Sequence, residues 1–133
     1  MMFSCASIPA SAETTTYALN EGIASAYEYA NSVENILNIT SNSAECTSSC
    51  ESSSDVVQIT VEQTLQNFWG LGVWNDVDGA SWTATEHGSS ICLMSNKSGL
   101  TSGTYRVKYV FTLISSSGKT ETITIYSEEK TIN

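Results

Sequence analysis

The sequence is poor in proline, in histidine and in basic side chains. Of its 133 residues, one is proline, one is histidine and five are lysine or arginine. Fourteen acidic residues leave a formal net charge of -9 at pH 7. An acidic chain of this kind repels phosphate backbones and anionic headgroups, so nucleic acid and an anionic membrane surface are poor candidates as partners.

Long apolar runs are also missing, and we therefore predict no membrane span. The uncharged stretch 1–12 ends in the A-x-A motif Ala10-Ser11-Ala12. We interpret residues 1–12 as the remnant of a secretory signal peptide, with a packed or disordered N-terminal arm as the alternative. The protein is then expected to be secreted and extracellular. A lipid anchor at Cys5, which follows a small residue, is a minor alternative.

Export would permit disulfide bonds. Removal of Cys5 would leave three cysteines, and the C-x-x-x-C spacing predicts a disulfide between Cys46 and Cys50. Cys92 would then be a free, buried thiol in a strand. A zinc site formed by these three cysteines and His87 has the right number of ligands, but the spacing is a weak signature. We predict no metal and no cofactor.

Alternation of apolar and polar residues is the strongest structural signal. Odd-numbered residues from 105 to 113 are apolar, whereas Arg106 and Lys108 fall on the opposite face. Residues 115–118 predict a turn, and 121–126 predict the returning strand of a β-hairpin.

Other segments give weaker signals. Residues 33–41 and 55–65 predict strands. The stretch 68–74 has apolar residues on both parities, which predicts a strand that is buried on both faces or presents its aromatics to a partner. The polar segment 42–54 predicts a surface loop, and 75–79 predict a hairpin turn.

The strand signals together predict an all-β protein. About seven strands separated by short turns are typical of a β-sandwich, and we expect an immunoglobulin-like sandwich over residues 33–133. Residues 13–32 are predicted to form an N-terminal arm or an edge strand.

The segment L-T-S-G-T-Y-R-V at 100–107 resembles a corner found in fibronectin type III and related immunoglobulin-like domains. That corner precedes the penultimate strand and has the pattern L-x-P-G-T-x-Y-x-V. Here Ser102 replaces the proline, and one residue fewer precedes Tyr105. The resemblance implies that Tyr105 hydrogen-bonds to upstream backbone and stabilises the crossing between the sheets. It also implies that Trp74, or Trp69, fills the space between them.

Residues 55–132 are also similar to a group of small exported proteins of unknown function from Gram-positive bacteria. The shared layout is a strand ending in Leu65-Gln66, a strand with tryptophan, a Y-R-V-K strand and a T-E-T return. This resemblance implies the fold and export, and no catalytic residue.

Exposed aromatic and basic side chains are the candidate binding residues. Trp69 and Trp82 are candidates for a platform that stacks sugar rings, with a place in the core as the alternative. Arg106 and Lys108 form a basic strip that would either contact an acidic partner or keep the strand soluble. We therefore expect a non-catalytic interaction module with a protein or glycan partner, and a carbohydrate-binding module is the alternative.

Catalytic and calcium sites have little support. His87 lies beside Glu86 in a predicted turn, and no G-x-S-x-G motif marks a nucleophile. The Asp76-Val77-Asp78-Gly79 segment is similar to part of an EF-hand loop. In that alignment Trp74 and Thr85 would occupy the first and twelfth positions, which require carboxylates, so we prefer the hairpin turn.

Overall fold

The computed structural model describes residues 28–133, which form eight β-strands. The strands are β1 (Ala30–Thr40), β2 (Ser43–Ser52), β3 (Val56–Gly70), β4 (Val73–Glu86), β5 (Ser90–Lys97), β6 (Gly103–Ser115), β7 (Thr120–Tyr126) and β8 (Lys130–Ile132). Strands account for 76% of the described residues, which contain no helix. The all-β prediction is confirmed. No part of residues 28–133 therefore qualifies as a membrane-crossing helix. The predictions for 1–12, and for most of 13–32, lie outside the described residues.

The strands form two antiparallel sheets. Sheet A has the order β1-β2-β5, and sheet B has the order β4-β3-β6-β7. The short strand β8 pairs with the first residues of β6, from Gly103 to Tyr105, and β7 pairs with β6 from Lys108 to Ile114. Since β3 occupies the other edge of β6, β7 and β8 follow one another along a single edge.

The core lies between the two sheets. Along β6 every odd-numbered residue from Tyr105 to Ser115 is buried and every even-numbered one is half-buried, as the alternation predicts. Tyr109 and Phe111 are the largest fully buried side chains. The Tyr109 hydroxyl donates a hydrogen bond of 2.8 Å to the Ile36 carbonyl, which joins sheet B to sheet A. Burial of one such large apolar side chain contributes about 1.5–3 kcal/mol.

Strand β2 occupies most of the segment 42–54, and the surface loop predicted there is wrong. It is the central strand of sheet A, paired with both β1 and β5. Its inward-facing residues are the small side chains Ala44, Cys46, Ser48 and Cys50, all of them buried. Small polar residues give no hydropathy signal that would indicate a strand. The strand forms because pairing with β1 and β5 satisfies the backbone N–H and C=O groups on both of its edges.

The turn between β3 and β4 lies at Leu71 and Gly72 and not at 75–79. Both residues have positive φ, 54° and 77°. Positive φ at the two central residues is the requirement of a type I′ hairpin turn. The single strand predicted for 68–74 is therefore divided between β3 and β4.

The segment 75–79 is part of β4, and the strand has a bulge between Asp76 and Ser81. Asp76 pairs with Gln66 and Ser81 pairs with Thr64, so five steps along β4 face two along β3 and three residues are extra. Gly79 has the positive φ, 72°, that the sequence predicts, but within a strand. A bulge on an edge strand hinders pairing with another chain.

The disulfide predicted between Cys46 and Cys50 is absent, because both cysteines are free and buried. They lie four residues apart on one face of β2, a separation of about 13 Å along a strand. A disulfide needs Cα atoms within about 7 Å, so the prediction is wrong. Cys92, predicted to be free, is disulfide-bonded.

Candidate interaction surface

The three tryptophans lie in three different environments. Trp69, near the end of β3, is 66% exposed. Trp74 is half-buried and, opposite Phe68, lies on the outer face of sheet B. Trp82 lies opposite buried Gln63 and packs against the core from the edge of sheet B. They do not form a common stacking platform. The expectation that Trp74 or Trp69 fills the space between the sheets is also wrong, since Tyr109 and Phe111 occupy it.

Apolar side chains surround the β3–β4 turn. Phe68, Trp69, Leu71 and Val73 are 42%, 66%, 93% and 44% exposed, and we call these four residues the hairpin tip. They are four of the six large exposed hydrophobic residues among residues 28–133. Apolar residues that cluster in this way on a soluble domain are typical of a contact site.

Leu71 lies in a backbone conformation that leucine rarely adopts. The left-handed region costs a residue with a Cβ about 1–2 kcal/mol, and glycine or asparagine is usual there. Leu71 has φ 54° and nearly its whole side chain is in solvent. Neither stability nor solubility accounts for a leucine at this position, which points to a role in binding.

An arginine lies between aromatic rings beside the hairpin tip. The Arg106 Cζ atom lies 4.2 Å from the ring centroid of Trp74 and 4.2 Å from that of Tyr126. The two rings come from β4 and β7, which lie on opposite sides of β6. Phe68 continues the row, with its ring centroid 5.2 Å from that of Trp74 and tilted by 57°. We call Phe68, Trp74, Arg106 and Tyr126 the aromatic–arginine stack.

Hydrogen bonds fix the orientation of the Arg106 guanidinium. Its Nε donates to Gln66 Oε1 at 2.9 Å, and Gln66 Nε2 donates to Asp76 Oδ1 at 3.0 Å. The three residues lie side by side on adjacent strands, with Gln66 opposite both Asp76 and Arg106. The side chain is therefore held by two rings and by one hydrogen bond.

Lys108 lies two residues after Arg106, on the same face of β6. It is half-buried and lies opposite Thr64 on β3 and Tyr126 on β7. The predicted basic strip of Arg106 and Lys108 therefore lies on the outer face of sheet B, next to the hairpin tip.

Tyr105 lies on the inner face of the same strand and is 2% exposed. Its hydroxyl donates a hydrogen bond of 2.8 Å to the Thr101 carbonyl. This is the bond to upstream backbone that the resemblance to fibronectin type III domains implies for this residue.

Catalytic and metal-binding arrangements find no support in residues 28–133. His87 is exposed in the connection between β4 and β5, and no three His, Cys, Asp or Glu side chains of this region lie close enough to bind a metal ion. Two clefts, beside Tyr105 and beside Glu45, have volumes of about 280 and 250 Å³, and neither is lined by His87. Small-molecule sites usually measure about 300–1,000 Å³.

Several residues of this surface were not predicted. Gln66 and Asp76 orient Arg106, and Leu71 dominates the hairpin tip, yet none of them was a candidate. The G-L-G sequence at 70–72 was an available signal for a turn with an exposed leucine.

Comparisons of the chain with protein-family models, with curated proteins and with solved structures give no match.

Proposed function

We propose that this protein is an exported immunoglobulin-like module that binds a partner protein through its hairpin tip. The observation that carries the proposal is the exposure of the tip, above all the 93% exposure of Leu71. Binding would cover this apolar surface and offset the strain of the turn.

Strand order supports the immunoglobulin-like assignment. Such domains pair strands A, B and E in one sheet and C, F and G in the other, and some add a strand C′ beside C. The orders β1-β2-β5 and β4-β3-β6-β7 correspond to A-B-E and C′-C-F-G. In this correspondence Tyr105 lies near the start of strand F, where the tyrosine corner is found. Export rests on the A-x-A motif at 10–12.

The composition of the tip favours a protein over a glycan as the partner. Sugar rings stack on flat aromatic surfaces, whereas Leu71 and Val73 are aliphatic and fit an apolar groove. Trp82 faces the core and is not available for stacking. The exposed Trp69 favours the second candidate, a carbohydrate-binding module.

The test measures binding of fluorescently labelled protein to intact cells of the source organism and to their isolated wall polysaccharide. We expect saturable binding to cells that is lost when trypsin removes their surface proteins. The double variant Trp69→Ser, Leu71→Ser is expected to bind at least about 10-fold more weakly. The control is Val57→Ser, which removes an apolar residue that is 45% exposed at the opposite end of β3 and should bind like wild type.

Equal binding by the double variant and the wild type would refute the proposal. Binding that survives trypsin and is competed by soluble wall polysaccharide would establish the glycan alternative instead.

A further inference from the structure

We infer that Arg106 is a preorganised carboxylate-binding site and that the partner presents a carboxylate next to an apolar side chain. This inference rests on the proposed function, since it specifies the ligand chemistry of the same surface. The occupant is a peptide segment whose carboxylate contacts Arg106 while its apolar side chain covers the hairpin tip.

The first step concerns the donors of Arg106 that remain unused. A guanidinium carries five N–H groups, and only Nε–H has an acceptor, Gln66. Within residues 28–133 the terminal nitrogens Nη1 and Nη2 have no hydrogen-bond acceptor and no ion-pair partner. Asp76, the nearest acid in this row, accepts from Gln66 instead.

The second step concerns the shape of the free edge. Nη1 and Nη2 form a planar fork that matches the two oxygens of a carboxylate, and such bidentate pairs are the strong charge-assisted hydrogen bonds. The rings of Trp74 and Tyr126 restrict the guanidinium, so little rotamer freedom remains to be lost on binding.

The third step joins the fork to the hairpin tip. Phe68 belongs to both, because its ring packs on Trp74 and Trp74 packs on Arg106. A ligand with its carboxylate on Arg106 therefore has apolar surface within one side-chain length. Lys108 adds a second positive charge on the same face. The net charge of -9 opposes an acidic ligand at long range, but at physiological salt this repulsion is screened beyond about 8 Å.

The test uses small carboxylates as probes in an NMR titration that follows the Arg106 Nε–H and tryptophan indole N–H signals. N-acetyl-leucine is expected to shift both signals with a Kd in the millimolar range. N-acetyl-leucinamide, which lacks the carboxylate, and N-acetyl-glycine, which lacks the apolar group, should each bind about 10-fold more weakly or not at all. N-acetyl-glutamyl-leucinamide tests a side-chain carboxylate, so the comparison shows whether a peptide C-terminus or an acidic side chain is preferred.

Two variants test whether the guanidinium fork of Arg106, and not only its positive charge, binds the carboxylate. Arg106→Lys keeps the positive charge and removes the fork, and we expect N-acetyl-leucine to bind it about 10-fold more weakly. Lys119→Gln removes an exposed lysine in the β6–β7 connection and should bind like wild type. Backbone amide spectra establish that each variant is folded, and the comparison of acid with amide on the wild type needs no variant.

Equal shifts from N-acetyl-leucine and its amide, or no shift from either carboxylate, would overturn the inference. Glucuronate acting as strongly as N-acetyl-leucine would also overturn it, in favour of an acidic sugar. These outcomes are independent of the cell-binding test: tip-dependent binding without carboxylate shifts would refute only the role of Arg106, and shifts without binding to cells would refute only the proposed function.

Discussion

Gln63 is the polar residue at the centre of the core. Its Nε2 donates to Ser48 Oγ at 2.9 Å and to the Leu93 carbonyl at 3.0 Å, and its Oε1 accepts a hydrogen bond from Ser95. Its Nε2 also lies 3.4 Å from the Cys46 carbonyl. Gln63 belongs to sheet B and these four partners belong to sheet A, so this one side chain ties the two sheets together. A fully paired network in the interior favours a single relative position of the sheets.

Asn35 offers the opposite case within the same core. It is fully buried, but neither its Oδ1 nor its Nδ2 has a hydrogen-bond partner in the described part of the chain. Gln63→Leu would deprive the buried hydroxyls of Ser48 and Ser95 of this partner, and we expect the free energy of unfolding to fall by about 2–3 kcal/mol. Asn35→Leu removes groups that are already unpaired and should raise stability or leave it unchanged. Urea unfolding of both variants provides the measurement, and a Gln63→Leu protein as stable as wild type would show that the network is dispensable.

The two free thiols of β2 carry a pH dependence. Burial, with a smaller contribution from Glu45, raises the pKa of Cys46 from 9.0 to about 12. Burial, followed by the charges of Glu121 and Glu51, raises the pKa of Cys50 to about 12 as well. Both thiols are therefore neutral and unreactive in the folded protein at pH 7.

Alkaline pH should destabilise the fold through these thiols. In the unfolded chain they ionise near pH 9, whereas in the folded chain they stay protonated to about pH 12. Their contribution is complete below pH 9 and is lost progressively as the pH rises from 9 towards 12. Urea unfolding at pH 8, 9 and 10 is expected to show a decline that is shallower in the double variant Cys46→Ala, Cys50→Ala. Equal slopes would contradict this account, as would rapid reaction of the native thiols with a thiol reagent at pH 7.

At the level of elements, the β3–β4 hairpin combines strain with exposure. Asparagine adopts positive φ more readily than leucine and is polar, so Leu71→Asn should raise the free energy of unfolding by about 0.5–1 kcal/mol. The same change should weaken cell binding, because the exposed leucine is lost. Thermal unfolding and the cell-binding assay measure the two effects.

Gly72→Ala is the control for the backbone at this turn. Gly72 has φ 77°, and an added Cβ would meet nothing within 4 Å, so the change introduces strain without a clash. We expect a loss of about 1–2 kcal/mol with the tip residues unaltered. A stabilising Gly72→Ala, or a destabilising Leu71→Asn, would contradict the backbone conformation of the turn.

The sequence predicted those strands whose two faces differ clearly in side-chain polarity. The β6–β7 hairpin was predicted because large apolar residues alternate with charges, and residues 116–119 form the expected four-residue connection. Strand β2 was missed because alanine, serine and cysteine supply little contrast between its faces. At 75–79 the turn residues were recognised, but sequence cannot separate a bulge inside a strand from a hairpin turn, because both use glycine with positive φ.

The candidate surface was predicted only in part, for a related reason. Arg106 and Lys108 were assigned to one face from the parity of β6 alone. Their neighbours Trp74, Gln66 and Tyr126 come from three other strands, and their proximity depends on pairing registers that no local pattern encodes. The row Asp76–Gln66–Arg106 also depends on the β3–β4 turn at Leu71 and Gly72, whose position brings Asp76 opposite Gln66.

At the scale of the whole molecule, the tip and the stack lie at one end of sheet B. The connection between β3 and β4 is at this end, and β6 enters the sheet beside it, with Tyr105 opposite Asn67. The strand order therefore places the aromatic residues of β3, β4 and β7 around the first residues of β6. The far end of sheet B carries threonines on its outer face, where Thr60 lies opposite Thr85 and Thr112. The exposed aromatic side chains of the outer face thus lie at one end of sheet B, and the threonine hydroxyls lie at the other.

The net charge of -9 should make the stability of the whole domain depend on salt. Like charges repel within the compact state, and added salt screens this repulsion. We expect the Tm to rise by a few degrees, about 2–5 °C, when NaCl is increased from about 10 to 150 mM. The double variant Glu34→Lys, Glu62→Lys alters two exposed positions and changes the charge from -9 to -5, since each substitution adds two positive units. Its Tm should respond less to salt. A Tm that falls with salt in the wild type would instead mean that attractive ion pairs outweigh the repulsion.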